Sequence, residues 1–233
     1  MTRPAQTEPA PPFRYRTRVW DLPTRLFHWA LLACIVGLFI TVNIGGDWMQ
    51  WHFRLGYAVL TLLLFRVVWG FVGGRWSRFA SFAYAPSTVL AYFQGRSKPE
   101  HSVGHNPIGA GSVFALLGFL LLQVATGLFS DDDASNQGPL TKFVSNARVS
   151  LATWYHKEVG SKVLIALIAL HIVAVLFYLY RKKENLVQPM LHGDKHLPYR
   201  AEPSRDDAAS RGVAAVLLAL CAGGVWCVVR LGN

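Results

Sequence analysis

The stretch WYHKEVGSKVLIALIALHIVAVLFYLY (154–180) decides the fold. From Val163 to Tyr180 it holds no Lys, Arg, Asp or Glu. A helix of about 20 apolar residues crosses a bilayer, whereas a helix on a soluble domain shows one polar face. The stretch therefore reads as a membrane span, and it carries two histidines, His156 and His171.

Working outward, four further apolar runs have the same character: roughly 26–44, 48–72, 108–129 and 213–230. Trp29, Trp48, Trp51, Trp69, Trp154, Tyr178 and Tyr180 stand near span ends, where aromatic belts form. Of 233 residues 52% are hydrophobic and 15% charged, against about a quarter charged in soluble domains. The fold class is all-α: an integral membrane helical bundle, with four helices in its core and a fifth C-terminal transmembrane helix. Residues 1–25 read as an N-terminal tail, 26–182 as the core, 183–212 as a mobile polar linker and 213–233 as the added helix. The first run ends in NIGGDW (43–48) without a small-residue cleavage site, so it reads as a retained span and not as a signal peptide.

The net charge of +10 raises nucleic acid as a partner, but the basic residues lie between apolar runs and not along a polar face. They fit membrane orientation and anionic lipid instead. Arg3, Arg14, Arg16, Arg18 and Arg25 precede the first span, Arg75, Arg78, Arg96 and Lys98 follow the second, and seven more lie between the fourth and fifth. The alternate loops are poorer in Lys and Arg and include Asp47 and Asp131 to Asp133. The expectation is an N-terminus in the cytoplasm and a C-terminus in the periplasm of a bacterial inner membrane. Cys34, Cys221 and Cys227 sit in apolar runs, and no C-x-x-C-H occurs, which excludes covalent c-type haem attachment.

Ionisable residues inside spans mark function, and four histidines need a joint explanation. His28 and His171 lie 16 and 17 residues from the outer ends of the first and fourth helices, about 25 Å deep at 1.5 Å per residue. His52 and His156 both lie near the outer ends of their helices. The four resolve into an inner pair, His28 with His171, and an outer pair, His52 with His156. Two imidazoles at one depth on different helices can clamp a macrocycle, and bis-histidine ligation suits electron transfer. HFRLG (52–56) and HKEVG (156–160) share H-x-x-x-G; Gly56 and Gly160 would clear room for a porphyrin edge one turn from each outer ligand. Arg54, Lys157 and Lys162 near the outer pair, and Arg25 near the inner, are candidate propionate partners. His105 would cap the third span or serve those propionates; His101, His192 and His196 read as loop residues, and Asp131 to Asp133 as a solvated acidic run.

RVWDLPTRLFHW (18–29), WHFRLGY (51–57), GHNPIGA (104–110), LLLQVATGLF (120–129), YHKEVGSKVLIALIALH (155–171) and RKKENLVQPMLHGDK (181–195) together resemble the bacterial cytochrome b561 family, in the form that includes the membrane cytochrome b of nickel–iron hydrogenases. The resemblance covers 18–195. It implies a four-helix core with two haems b on His28, His52, His156 and His171, and electron transfer between the quinone pool and a partner on the outer face, such as a cytochrome c or a hydrogenase. The His156-to-His171 spacing is one residue longer than the family pattern suggests, and the fifth span lies outside the resemblance. A stand-alone quinone oxidoreductase acting on a small molecule such as superoxide is the competing function. A cofactor-free transporter is a third, and it would call for a helix broken at the midplane.

Overall fold

A computed structural model of the protein describes residues 14–96, 98–132 and 136–232; Arg3 and Asp133 lie outside them. The first long helix, α1 (Leu22–Ile44), starts where the Asp21 carboxylate accepts from the Thr24 N–H and Pro23 fills the first turn, where no backbone donor is needed. Gly45 and Gly46, at φ +70° and +54°, supply the left-handed turn that returns the chain into α2 (Met49–Val72). A short helix, α3 (Pro86–Phe93), precedes α4 (Pro107–Leu128), which Asn106 caps through the Gly109 N–H. Then α5 (Asn146–Trp154) runs through a π turn (Tyr155–Gly160) into α6 (Ser161–Tyr180). The chain ends with α7 (Val187–His192) and α8 (Ala208–Arg230).

Among the described residues five helices are long and apolar enough to span a membrane: 22–44, 46–72, 107–128, 146–180 and 208–230. Only 6% of the apolar window in 146–180 is buried within the protein. Such a surface suits lipid, where close packing and polar contacts hold helices together rather than a hydrophobic drive between them. The bundle is organised on α2, which packs against α1, α8 and α4, while α6 rests on α4. Phe27, Val59, Leu63, Trp69, Leu120 and Leu164 form its core, joined by Ala214 of α8.

Two expectations change, and the long His156-to-His171 spacing finds its cause. The fourth membrane helix begins at 146, not 154, so α5 extends it by more than two turns. The π turn holds one residue more than an α turn; it contains His156 and leads into α6 toward His171, which accounts for the spacing being one residue long. The segment 183–212 is more than a bare linker, since it carries α7 and a strand. Its strand β2 (Asp194–Leu197) pairs antiparallel with β1 (Tyr15–Arg18) in the N-terminal tail. Beyond the sheet, Ser204 Oγ donates to the Val19 carbonyl and accepts from the Trp76 N–H, while Asp206 accepts from the Leu22 N–H and pairs with Arg18 and Arg211. Val19, Trp20, Val103 and Leu197 give this cap its own small core. The cap marks the sheet end of the bundle; the α1–α2 turn at Gly45 and Gly46 marks the far end.

Candidate functional site: two histidine pairs

At the far end, the rings of His52 on α2 and His156 in the π turn face one another, with centres 6.3 Å apart and planes at 83°. His52 Nδ1 lies 3.2 Å from the Leu38 carbonyl, and His156 Nδ1 lies 2.8 Å from the Gln123 carbonyl. A carbonyl only accepts, so each contact requires Nδ1–H and leaves Nε2 with its lone pair free. Both imidazoles are thus fixed in the tautomer that ligates a metal through Nε2, each by an adjacent helix.

The support is duplicated. Thr41 Oγ1 donates to the Gly37 carbonyl (2.8 Å) with the Leu38 carbonyl as a second acceptor at 3.1 Å, and Thr126 Oγ1 lies between the Gln123 (2.9 Å) and Leu122 (3.0 Å) carbonyls, so on each side a threonine hydroxyl and a histidine meet at one carbonyl. The hairpin α1–α2 and the pair α4–α6 therefore present their histidines through one device. Iron held between two imidazoles, at about 2 Å from each nitrogen, sets the ring centres roughly 6 Å apart. The observed separation fits one haem iron between His52 and His156.

The glycines divide. A methyl at Gly56 meets nothing, so that side of His52 is open. Gly160 is different: a methyl there would collide with Gln123 Oε1, so this glycine lets α6 approach α4 and does not face open space as expected. A glycine that sequence reading missed does more for the ligand. On α4, a methyl at Gly127 would stand 3.0 Å from His156 Cε1, so the bare backbone gives the imidazole its place.

At the sheet end, His28 of α1 and His171 of α6 lie within electrostatic range of one another. His28 Nδ1 is buried without a partner. His105 does not cap α4, since Asn106 does; its ring packs between Trp20 (4.6 Å) and Phe82 (4.5 Å). Burial pushes it down to about 3, helped by Arg66 and His171, which keeps it neutral.

The expected cations are mostly engaged elsewhere. Arg54 lies over the Trp51 ring, Lys162 pairs with Glu158, and Arg25 Nη1 donates to the Leu191 carbonyl. The cation that sequence reading missed is Arg66, 3% exposed in the middle of VLTLLLFRVVW (59–69), where a lone charge in a span was itself the signal. His101 accepts from the Lys98 N–H, His192 ends α7 and His196 lies in β2; none of these joins a pair. Asp131 sits beside Thr153 and bridges to Gln137.

Comparison with known proteins gives the family. The prokaryotic cytochrome b561 family matches residues 19–193. A probable Ni/Fe-hydrogenase 1 B-type cytochrome subunit of Escherichia coli K12 is 26% identical over 137 residues, 47% of this chain and 57% of that relative. The match thus spans little more than half of the relative's length. A probable Ni/Fe-hydrogenase B-type cytochrome subunit of Rhodobacter capsulatus is 25% identical across 84% of this chain and 88% of its own, and one of Bradyrhizobium diazoefficiens is 23% identical across 76% and 85%. No solved structure matches.

Proposed function

The chain belongs to the prokaryotic cytochrome b561 family, and on that premise we propose that it is a di-haem cytochrome b that carries electrons across the bacterial inner membrane. The observation that carries the reading is the opposition of His52 and His156, 6.3 Å apart with both Nδ1 atoms held by carbonyls. His28 and His171 form the second pair. Each bound haem supplies a one-electron ferric/ferrous couple. The Leu38 and Gln123 carbonyls hold the His52 and His156 imidazoles in place, so little rearrangement there accompanies a change of oxidation state. The 15 positions from His156 to His171 put the two sites about 20 Å apart along the helix.

In this reading the sheet end is cytoplasmic, because its connections carry most of the basic residues. His28 and His171 then form the inner site, His52 and His156 the outer one. The quinone pool is one redox partner, and a hydrogenase-type protein or a cytochrome c docks at the outer face. The added helix α5 favours a protein partner over a small anion such as superoxide, since it and the turn before it carry the exposed side chains of Leu151 and Phe143. A narrow basic funnel would suit the anion better.

The test is a haem count. Pyridine haemochrome analysis of purified protein should give two haems b per chain, both extracted by acid–acetone. A colourless protein, a covalently retained haem or one haem per chain defeats the reading. Reduction of both haems by quinol in proteoliposomes tests the quinone assignment separately.

A further inference from the structure

Five buried side-chain polar atoms lack a partner among the described residues: Arg25 Nε, His28 Nδ1, Arg66 Nη1, His105 Nδ1 and Gln123 Oε1. All but the last lie toward the inner end. Arg66 is the one that demands explanation, because a buried guanidinium keeps its charge and needs an anion. Its Cζ lies 4.9 Å from the centre of the Phe79 ring, which meets one face, but no ion pair reaches it among the described residues. The nearby carboxylate, Asp21, is satisfied without it. That group accepts from the Thr24 N–H, Trp69 Nε1, the Gly74 N–H and Ser77 Oγ.

The register of the helices says what Arg66 faces. On α2, Arg66 follows His52 by 14 residues, close to the same face and about 21 Å further along. On the other arm, His171 follows His156 by 15, one of which the π turn absorbs. Arg66 therefore stands on α2 where His171 stands on α6. It also shares the depth of His28: six residues before the end of α2 at Val72, against six after the start of α1 at Leu22. His105 completes the surround through a chain of rings: Phe79 beneath Arg66 packs on Phe82 (5.9 Å), and Phe82 on His105 (4.5 Å).

We propose that Arg66, with His105 beside it, is the carboxylate-binding site of the inner haem, its guanidinium taking a propionate group. This rests on the di-haem reading above. The fit is chemical: an anion on the ligand supplies the partner that the protein withholds, and His105 Nδ1, buried without a partner, offers one more hydrogen bond. A cation there also stabilises the ferrous form, so Arg66 holds the inner potential up. Arg66 is a cofactor-binding residue that sets the inner haem apart from the outer.

The experiment compares wild type, Arg66→Gln and Arg66→Lys by haem count and by redox titration of each haem, in the full-length protein. Arg66→Gln should lower the inner potential or release the inner haem alone, leaving the outer potential unchanged. Arg66→Lys, which keeps the charge, should stay near wild type. Reconstitution with haem dimethyl ester, which has no free carboxylates, should shrink the difference between Arg66 and Gln. An inner haem retained at an unmoved potential in Arg66→Gln overturns the proposal and points to a lipid phosphate as the anion. Equal loss of both haems in Gln and Lys variants overturns it too, by showing a structural role. A wild-type count of one haem defeats the di-haem reading instead, and this site with it.

Discussion

The imidazoles of His52 and His156 stand at 83° to one another across 6.3 Å, each anchored by a carbonyl of a different helix. Those anchors fix rotation as well as position. Near-perpendicular axial imidazoles give low-spin ferric haem a highly anisotropic electron paramagnetic resonance spectrum. The outer haem should show that signal; a rhombic signal typical of parallel rings from the outer haem would contradict the geometry.

The pairing by depth has its own consequence. His52→Ala or His156→Ala should remove or convert the outer haem to high spin, and His28→Ala or His171→Ala the inner. Some loss of folded yield is expected from the cavity left at each site. If His28→Ala and His52→Ala abolished the same redox component while His171→Ala spared it, the pairing would be wrong.

Gly127 makes a sharper test of the outer site, since it bears no ligand atom. A methyl 3.0 Å from His156 Cε1 forces the ring to move by a few tenths of an ångström. Gly127→Ala should shift the outer haem's spectrum and Gly127→Val should release that haem, with the inner one unchanged in both. An unaltered outer haem in Gly127→Val would show that α4 does not confine the imidazole.

Thr41 and Thr126 share their carbonyl acceptors with the two histidines. Replacing either by Val leaves the carbonyl wholly to the imidazole N–H, which strengthens that bond and makes the ligand more basic. A more basic ligand favours ferric iron. Thr126→Val should lower the outer potential, and Thr41→Val should lower it less, because the Thr41 hydroxyl lies nearer the Gly37 carbonyl than the Leu38 carbonyl. A rise in potential would reverse the assigned role.

Asp21 ties the start of α1 to the end of α2. Asp21→Asn puts an amide donor in place of one carboxylate oxygen, and each oxygen receives two donors. The loss should destabilise the fold by about 3 kcal/mol, as for a buried charged acceptor, and lower the melting temperature in detergent. An unchanged melting temperature would show that the network is dispensable.

The fifth helix illustrates how far the sequence reaches. Its apolar run is legible, and so is its lack of histidine. Its packing on α2 through Ala214, Leu217 and Cys221 is not, nor is the cap that Ser204 and Asp206 make. Truncation after residue 200 should therefore lower the melting temperature while leaving two haems, because no residue of α8 supplies a ligand; loss of either haem would show a larger role.

By itself the sequence determined the spans, because bilayer thickness fixes how long an apolar run must be, and it determined which histidines share a depth, because helix rise is constant. Only the tertiary structure decided which groups meet. Leu38 and Gln123 act through backbone carbonyls, which every residue has, so nothing in their identity announces the role. Gly127 and Gly160 look alike in sequence, yet one makes room for an imidazole and the other for a glutamine, a difference set by the neighbouring helix. Arg66 was visible as a charge in a span, but its meaning depended on finding Asp21 already satisfied, and that balance of donors and acceptors exists only once the helices are packed.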